Sequence, residues 1–171
     1  YIYTTYTDTS LHSVLNNLTS CLTAIISWSA SMRLKLNPSK FELIYFHKPS
    51  KSSLSFPSLN LTFLTPLSLV PSSTLRSLGV IFDSNLSLTP QILSVTRSCY
   101  FHLRRIRQLL PFLDDPSLQL LVSSLVLSRL DYCNSLYYAL PDTTLSPLTK
   151  VFNYDARLVS RTPRFFSLDW L

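Results

Sequence analysis

Apolar positions recur along the chain at two spacings, and the change from one to the other divides it. Between 11 and 32, Leu11, Val14, Leu15, Leu18, Leu22, Ile25 and Ile26 fall three or four residues apart, the spacing of one helix face. This predicts an amphipathic helix, with Asp8 or Ser10 as its cap. Asn37-Pro38 then marks a turn, and "FELIYF" (41–46) has the aromatic and β-branched content of a strand. A loop rich in Ser, Lys and Pro occupies 47–58. "LNLTFL" (59–64) and "LRSLGVIFD" (75–83) read as two more strands joined by "TPLSLVPSST", so 41–83 reads as a small β unit.

After 88 the spacing is helical throughout. Thr89 reads as an N-cap before Pro90 at the first helical position, and Ile92, Val95, Cys99, Leu103, Ile106 and Leu110 follow at helical intervals until Pro111. Asp115-Pro116 opens a second helix to about Tyr138, with Leu118, Leu121, Val122, Leu125, Val126 and Cys133 inward. Ser146-Pro147 opens a third, to about Ser160. The fold class expected is therefore α+β: a helix with a small antiparallel sheet, then an all-helical bundle, with the boundary between 87 and 88.

Composition adds further constraints. The 171 residues are 46% hydrophobic, enough for one core or two small ones sharing it. The apolar runs are interrupted well before the roughly 18 residues a membrane span needs, so no transmembrane segment is expected. Net charge is +6, from fifteen Lys and Arg against nine Asp and Glu, which suits a polyanionic partner, an acidic membrane surface, or simply a basic domain. The three cysteines, Cys21, Cys99 and Cys133, are odd in number and far apart, which suggests reduced core thiols in an intracellular setting. Glycine occurs once, at Gly79, where average usage would give roughly twelve. The backbone there is expected to need a residue without a side chain, as in a tight turn, a bulge or a close approach to a ligand.

The words "WSASMRLKLNPSKFELIYF", "LRSLGVIFDSNLSL", "LVLSRLDYCNSLYYALP" and "ARLVSRTPR…LDWL", in that order and spacing, resemble the reverse transcriptase of jockey-like, LINE-type non-LTR retrotransposons. The segment matched is the one that follows the catalytic Tyr-Ala-Asp-Asp motif. The resemblance covers nearly the whole chain, and it implies an interior piece of a larger polypeptide. By it, 1–87 is the last part of the polymerase palm with the primer-grip hairpin, and 88–171 is the thumb. Leu78, Gly79 and Val80 would form the primer grip, with the backbone at Gly79 near the primer terminus. Lys40 would approach the nucleotide triphosphate as a general acid, although Phe41 stands where the family usually has threonine, against the plainer reading of a solvated turn lysine. The implied partners are an RNA/DNA template-primer and the upstream fingers and palm of the parent chain. The implied location is intracellular, in nucleus or cytoplasm.

Polymerisation needs two divalent ions held by clustered carboxylates. Mg2+ is the ion expected for the intact parent, but the chain itself shows no such cluster and no cofactor site. Asp8 reads as a cap, and Asp114 and Asp115 as a cap and helix-dipole partner. Cys99, His102 and Cys133 lack the paired spacing and the fourth ligand of a structural zinc site, so no metal ligand is assigned. No nucleophile elbow, phosphate-cradling glycine loop or His-Glu-x-x-His helix occurs, and the chain alone is expected to be inactive. Arg97, Arg104, Arg105 and Arg107 lie on or beside one helix and are the candidate phosphate-backbone contacts, against the plainer reading of a solvated face. Arg129 and Asp131 are expected to pair with neighbours inside the thumb, and Tyr132, Tyr137 and Tyr138 to be core and rim aromatics, with stacking on bases as the alternative. Tyr154, Asp155 and Ala139 depart from the family's pattern and suggest drift. A polymerase-dead binding or interaction module, or a decayed element remnant without function, therefore stands beside the polymerase-fragment reading.

Overall fold

The computed structural model describes residues 1–7, 10–48, 57–61 and 67–162. The proposed cap Asp8, most of the loop at 47–58, the end of the strand expected at 59–64, and the final word beyond Thr162 lie outside the described residues. The chain is α+β and mostly helical, and it divides into two compact units, Tyr1–Leu75 and Arg76–Leu171.

In the first unit, α1 (Leu11–Ser31) forms where the periodic stripe predicts it. Leu15 is buried with Tyr45, Leu59 and Leu69, and Leu11 and Leu22 pack against that cluster. The hydroxyls of Thr19 and Thr23 donate to the carbonyls of Leu15 and Thr19, which satisfies them inside the helix. Ser10 sits at the N-cap, but its hydroxyl accepts from the Thr7 N–H rather than from a helix N–H.

Two expectations for the β unit are corrected. Residues 41–46 form no strand. Leu43 alone makes a parallel bridge to Pro71, because proline supplies no N–H to extend the pairing. The supposed connector at 65–74 instead contains a strand, β2 (Leu67–Leu69), paired antiparallel with β1 (Leu59–Leu61) in the register Leu59 to Leu69. That register puts Leu59 and Leu69 side by side in the core.

The run at 75–83 is two strands, β3 (Thr74–Ser77) and β4 (Val80–Asp83), joined through Leu78 and Gly79. Both turn residues have positive φ, 48° at Leu78 and 85° at Gly79, as a two-residue hairpin turn matched to strand twist requires. The chain's one glycine therefore meets the demand of a tight turn. The two units divide within β3, ahead of the boundary expected between 87 and 88, because Val80 and Phe82 pack into the helical core.

In the second unit, α2 (Thr89–Leu109) begins with Pro90 in its first turn. Thr89 is the first helical residue rather than the cap. The Asp83 carboxylate accepts from the N–H groups of Ser87 and Leu88, just ahead of the helix, at 3.1 and 2.8 Å, and the Ser87 hydroxyl accepts from the first-turn Thr89 N–H at 3.3 Å. Burial works to raise the pKa of Asp83, but its own hydrogen bonds outweigh this and hold the carboxyl below its ordinary value.

The second predicted helix is broken into α3 (Asp115–Val122), a π turn over Ser123–Leu127 and α4 (Ser128–Asp131), and it stops at Tyr132. Cys133, at φ 57°, turns the chain into a short 3-10 segment over Asn134–Tyr137. The last helix, α5 (Asp142–Val159), starts before the expected Ser146-Pro147, with Pro147 inside it. Pro141, in extended backbone, and Asp142 provide the actual start.

Ile92, Cys99, Leu103 and Ile106 of α2 meet Leu118, Val122 and Val126 and, from α5, Leu148, Val151 and Leu158. Arg161 closes the bundle, pairing with Asp115 at 3.0 Å and donating to the Leu113 carbonyl. Among the three cysteines only Cys99 is fully buried. Cys21 is exposed, against the expectation of a core thiol, because it lies on the outer side of α1. Besides Arg33, Leu78, Cys133 and Arg161, the residues Leu86 and Leu88 also adopt positive φ.

One charged residue is enclosed in this bundle. Asp155 is only 6% exposed, and its Oδ1 is buried without a hydrogen-bond partner. Burial raises its carboxyl from 3.8 to about 6.

Candidate nucleic-acid interface

Helix α2 carries four arginines and no acid. Its inward face is taken up by Ile92, Cys99, Leu103 and Ile106, so the residues half a turn away must face solvent. Arg97 and Arg104, seven residues apart, project from one face about 10 Å apart along the axis. Leu93 and Phe101 lie on the same face, 51% and 56% exposed. The Arg105 guanidinium stands over the Phe101 ring, 5.5 Å from its centroid. Among the described residues none of Arg97, Arg104 and Arg105 makes an ion pair.

Arg107 is different. Ten residues from Arg97, it is rotated about 80° from that face, and it donates to the Tyr154 hydroxyl at 3.2 Å. The structure thus brings Arg97, Arg104 and Arg105 together with an aromatic ring and ties Arg107 to α5. Phe101 was not singled out by sequence. Its signal was its position four residues from both Arg97 and Arg105 on the outward stripe.

The β3–β4 hairpin is held against the helices through β4 and the turn. Gln91 of α2, 4% exposed, accepts from the Ile81 N–H through Oε1 at 2.9 Å. Val80 is 3% exposed and is a core residue, so its side chain does not face a ligand. Leu78 is 77% exposed. At the tip, the Tyr132 hydroxyl donates to the Leu78 carbonyl at 2.5 Å, and the Tyr132 ring lies beside Gly79. A Cβ built on Gly79 would stand 3.6 Å from Tyr132 Cε1, an ordinary contact, so positive φ rather than crowding selects glycine. Of the three tyrosines read as core and rim, Tyr137 is buried, Tyr132 is half-exposed and Tyr138 is 96% exposed.

Lys40 belongs to the first unit. It ends the 3-10 turn Pro38–Lys40, where the Asn37 side chain accepts from the Ser39 N–H and hydroxyl. Its own N–H donates to the Asn37 carbonyl. Arg129 is engaged with the backbone, its Nε donating to the Leu125 carbonyl, and no ion pair to Asp131 occurs among the described residues.

The carboxylates do not fit a two-metal centre. Asp114 stands at the N-cap of α3 and Asp115 is paired with Arg161, and among the described residues no three His, Cys, Asp or Glu side chains are grouped to hold an ion. His102, whose pKa is lowered by burial and by Arg129, is not gathered with Cys99 and Cys133 into such a group. Among the described residues no helix is long and apolar enough to cross a membrane. No protein-family model, curated protein or solved structure matches the chain.

Proposed function

We propose that the chain is the part of a non-LTR retrotransposon reverse transcriptase that follows the catalytic motif, and that it contacts the RNA/DNA template-primer through the outer face of α2 and the tip of the β3–β4 hairpin. The observation that carries this reading is the acid-free α2, whose Arg97, Arg104 and Arg105 face solvent without ion pairs around exposed Phe101. Unneutralised guanidinium groups displace condensed counterions from a phosphate backbone, and a ring among them offers a stacking surface for a base. The word-by-word resemblance of the sequence supplies the kind of nucleic acid. In the same reading Lys40 meets the nucleotide triphosphate, and the missing carboxylates and their Mg2+ belong to the upstream palm and fingers. The place of action is then nucleus or cytoplasm.

Fluorescence anisotropy of a labelled RNA–DNA primer-template, read across salt from about 50 to 200 mM, tests this. Affinity should fall log-linearly with salt, and the Arg104→Ala, Arg105→Ala double variant should lower the slope by about 2. A chain that unfolds cooperatively yet binds no primer-template overturns the reading and leaves a remnant or a protein-interaction module.

A further inference from the structure

The tip of the β3–β4 hairpin is fixed by a residue far away in sequence. We propose that Tyr132 is a positioning residue: it sets the conformation of the Leu78–Gly79 turn and thereby the affinity of that tip for the primer-template. The binding half of this inference rests on the reading given under Proposed function.

Helix α4 ends at Asp131, Tyr132 leaves it in extended backbone at ψ 115°, and Cys133 reverses the chain with φ 57°. A residue at this corner points away from its own helix. Tyr132 uses that freedom in two ways at once, with its hydroxyl donating to the Leu78 carbonyl and its ring lying along Gly79. Turn residues 78 and 79 both need positive φ, which Leu78 adopts only against the steric preference of an L-residue. An external hydrogen bond to the Leu78 carbonyl favours that peptide orientation over the alternatives open to a two-residue turn. The other attachments, Val80 in the core and Ile81 N–H on Gln91, lie behind the turn and leave the tip itself unspecified. Tyr132 remains half-exposed, so its hydroxyl acts on the turn more than on the core.

The chain's single glycine makes the test unusually clean. Labelling the full chain with 15N-glycine gives one amide resonance, that of Gly79. Tyr132→Phe keeps the ring and removes the hydroxyl. The Gly79 resonance should move and broaden, while the far-UV circular dichroism stays that of wild type. Primer-template affinity should weaken about threefold to tenfold, the usual effect of one hydrogen bond. The salt slope should stay unchanged, since no charge is lost. An unmoved Gly79 resonance overturns the positioning role. A moved resonance with unchanged affinity, in a chain whose wild type binds, overturns the link to binding and leaves the functional reading standing. Failure of the wild type to bind defeats that reading instead, and Gly79 still decides the role of Tyr132 in the turn. Should Tyr132→Phe lose helicity, Gly79 is read in Tyr132→His, and an unmoved resonance there also overturns the role.

Discussion

Replacing Asp155 by asparagine should stabilise the helical unit at neutral pH and do progressively less as the solution is acidified. The carboxyl is 6% exposed and one oxygen has no partner, and its pKa is raised from 3.8 to about 6 by burial. Below pH 3.8 it is protonated in both folded and unfolded chains and contributes no pH dependence. Between 3.8 and about 6 the unfolded chain ionises first, so the folded state holds more protons and stability falls as pH rises. Above about 6 the full difference applies, and at 1.36 kcal/mol per pH unit it reaches about 3 kcal/mol. In a unit of this size that corresponds to at most about 10–20 °C in Tm.

The amide of asparagine meets the same lack of partners, a cost of about 1–3 kcal/mol that is the same at every pH, so only the pH-dependent part is diagnostic. His102 adds its own pH dependence to both curves. Its pKa is lowered by burial and by Arg129, so stability is lost as pH falls through the range where the unfolded imidazole protonates. Subtracting the wild-type curve from that of Asp155→Asn removes His102 from the comparison. The measurement is urea unfolding followed by far-UV circular dichroism at pH 3.5, 4.5, 6 and 7.5, chosen to bracket the interval from about 3.8 to about 6. A stability difference that stays constant across this range would refute the reasoning.

Other outcomes follow from the same geometry. Gly79→Ala should cost about 1–2 kcal/mol through its positive φ alone, read as a lowered urea midpoint with unchanged slope. Asp83→Ala should cost about 1–3 kcal/mol at pH 7, since it frees the Ser87 and Leu88 N–H groups. Because the folded pKa of Asp83 is lowered, that stability is present above 3.8 and is lost as pH falls through the depressed value; the two proteins should converge in acid. In the native chain a maleimide should label Cys21 rapidly and Cys99 only on unfolding, as burial encloses Cys99 and pushes its thiol pKa up. Equal labelling rates would contradict the placement of Cys99 in the bundle.

What could be read from sequence was local. Pro90 and Pro116 mark helix starts because a first-turn N–H needs no partner inside the helix, and the inward stripe of α2 follows from spacing alone. Pro147 misled because proline in a first turn looks like any helical proline, while Pro141-Asp142 carried the real start. Strand pairing was less legible: nothing near 41–46 reveals that its one partner is Pro71, and the Pro-rich run at 65–74 hides β2. In the candidate interface, the arginines of α2 are visible from composition and spacing. The bonds from Gln91 to Ile81 and from Tyr132 to Leu78 are not, because each joins segments that only the finished fold brings together.

With glycine used once, the left-handed corners at Arg33, Leu86, Leu88, Cys133 and Arg161 are all made by residues with side chains. Each such corner costs roughly 1–2 kcal/mol relative to a residue that accepts the conformation freely. At Arg33, just past the end of α1, and at the exposed turn residue Leu86, a change to asparagine or glycine asks nothing of the core, whereas Leu88 and Cys133 pack into it and Arg161 pairs with Asp115. The chain therefore carries two independent routes by which one substitution raises its tolerance to others. A chain with Asp155 in its interior can regain stability at these two corners without touching α2 or the hairpin tip.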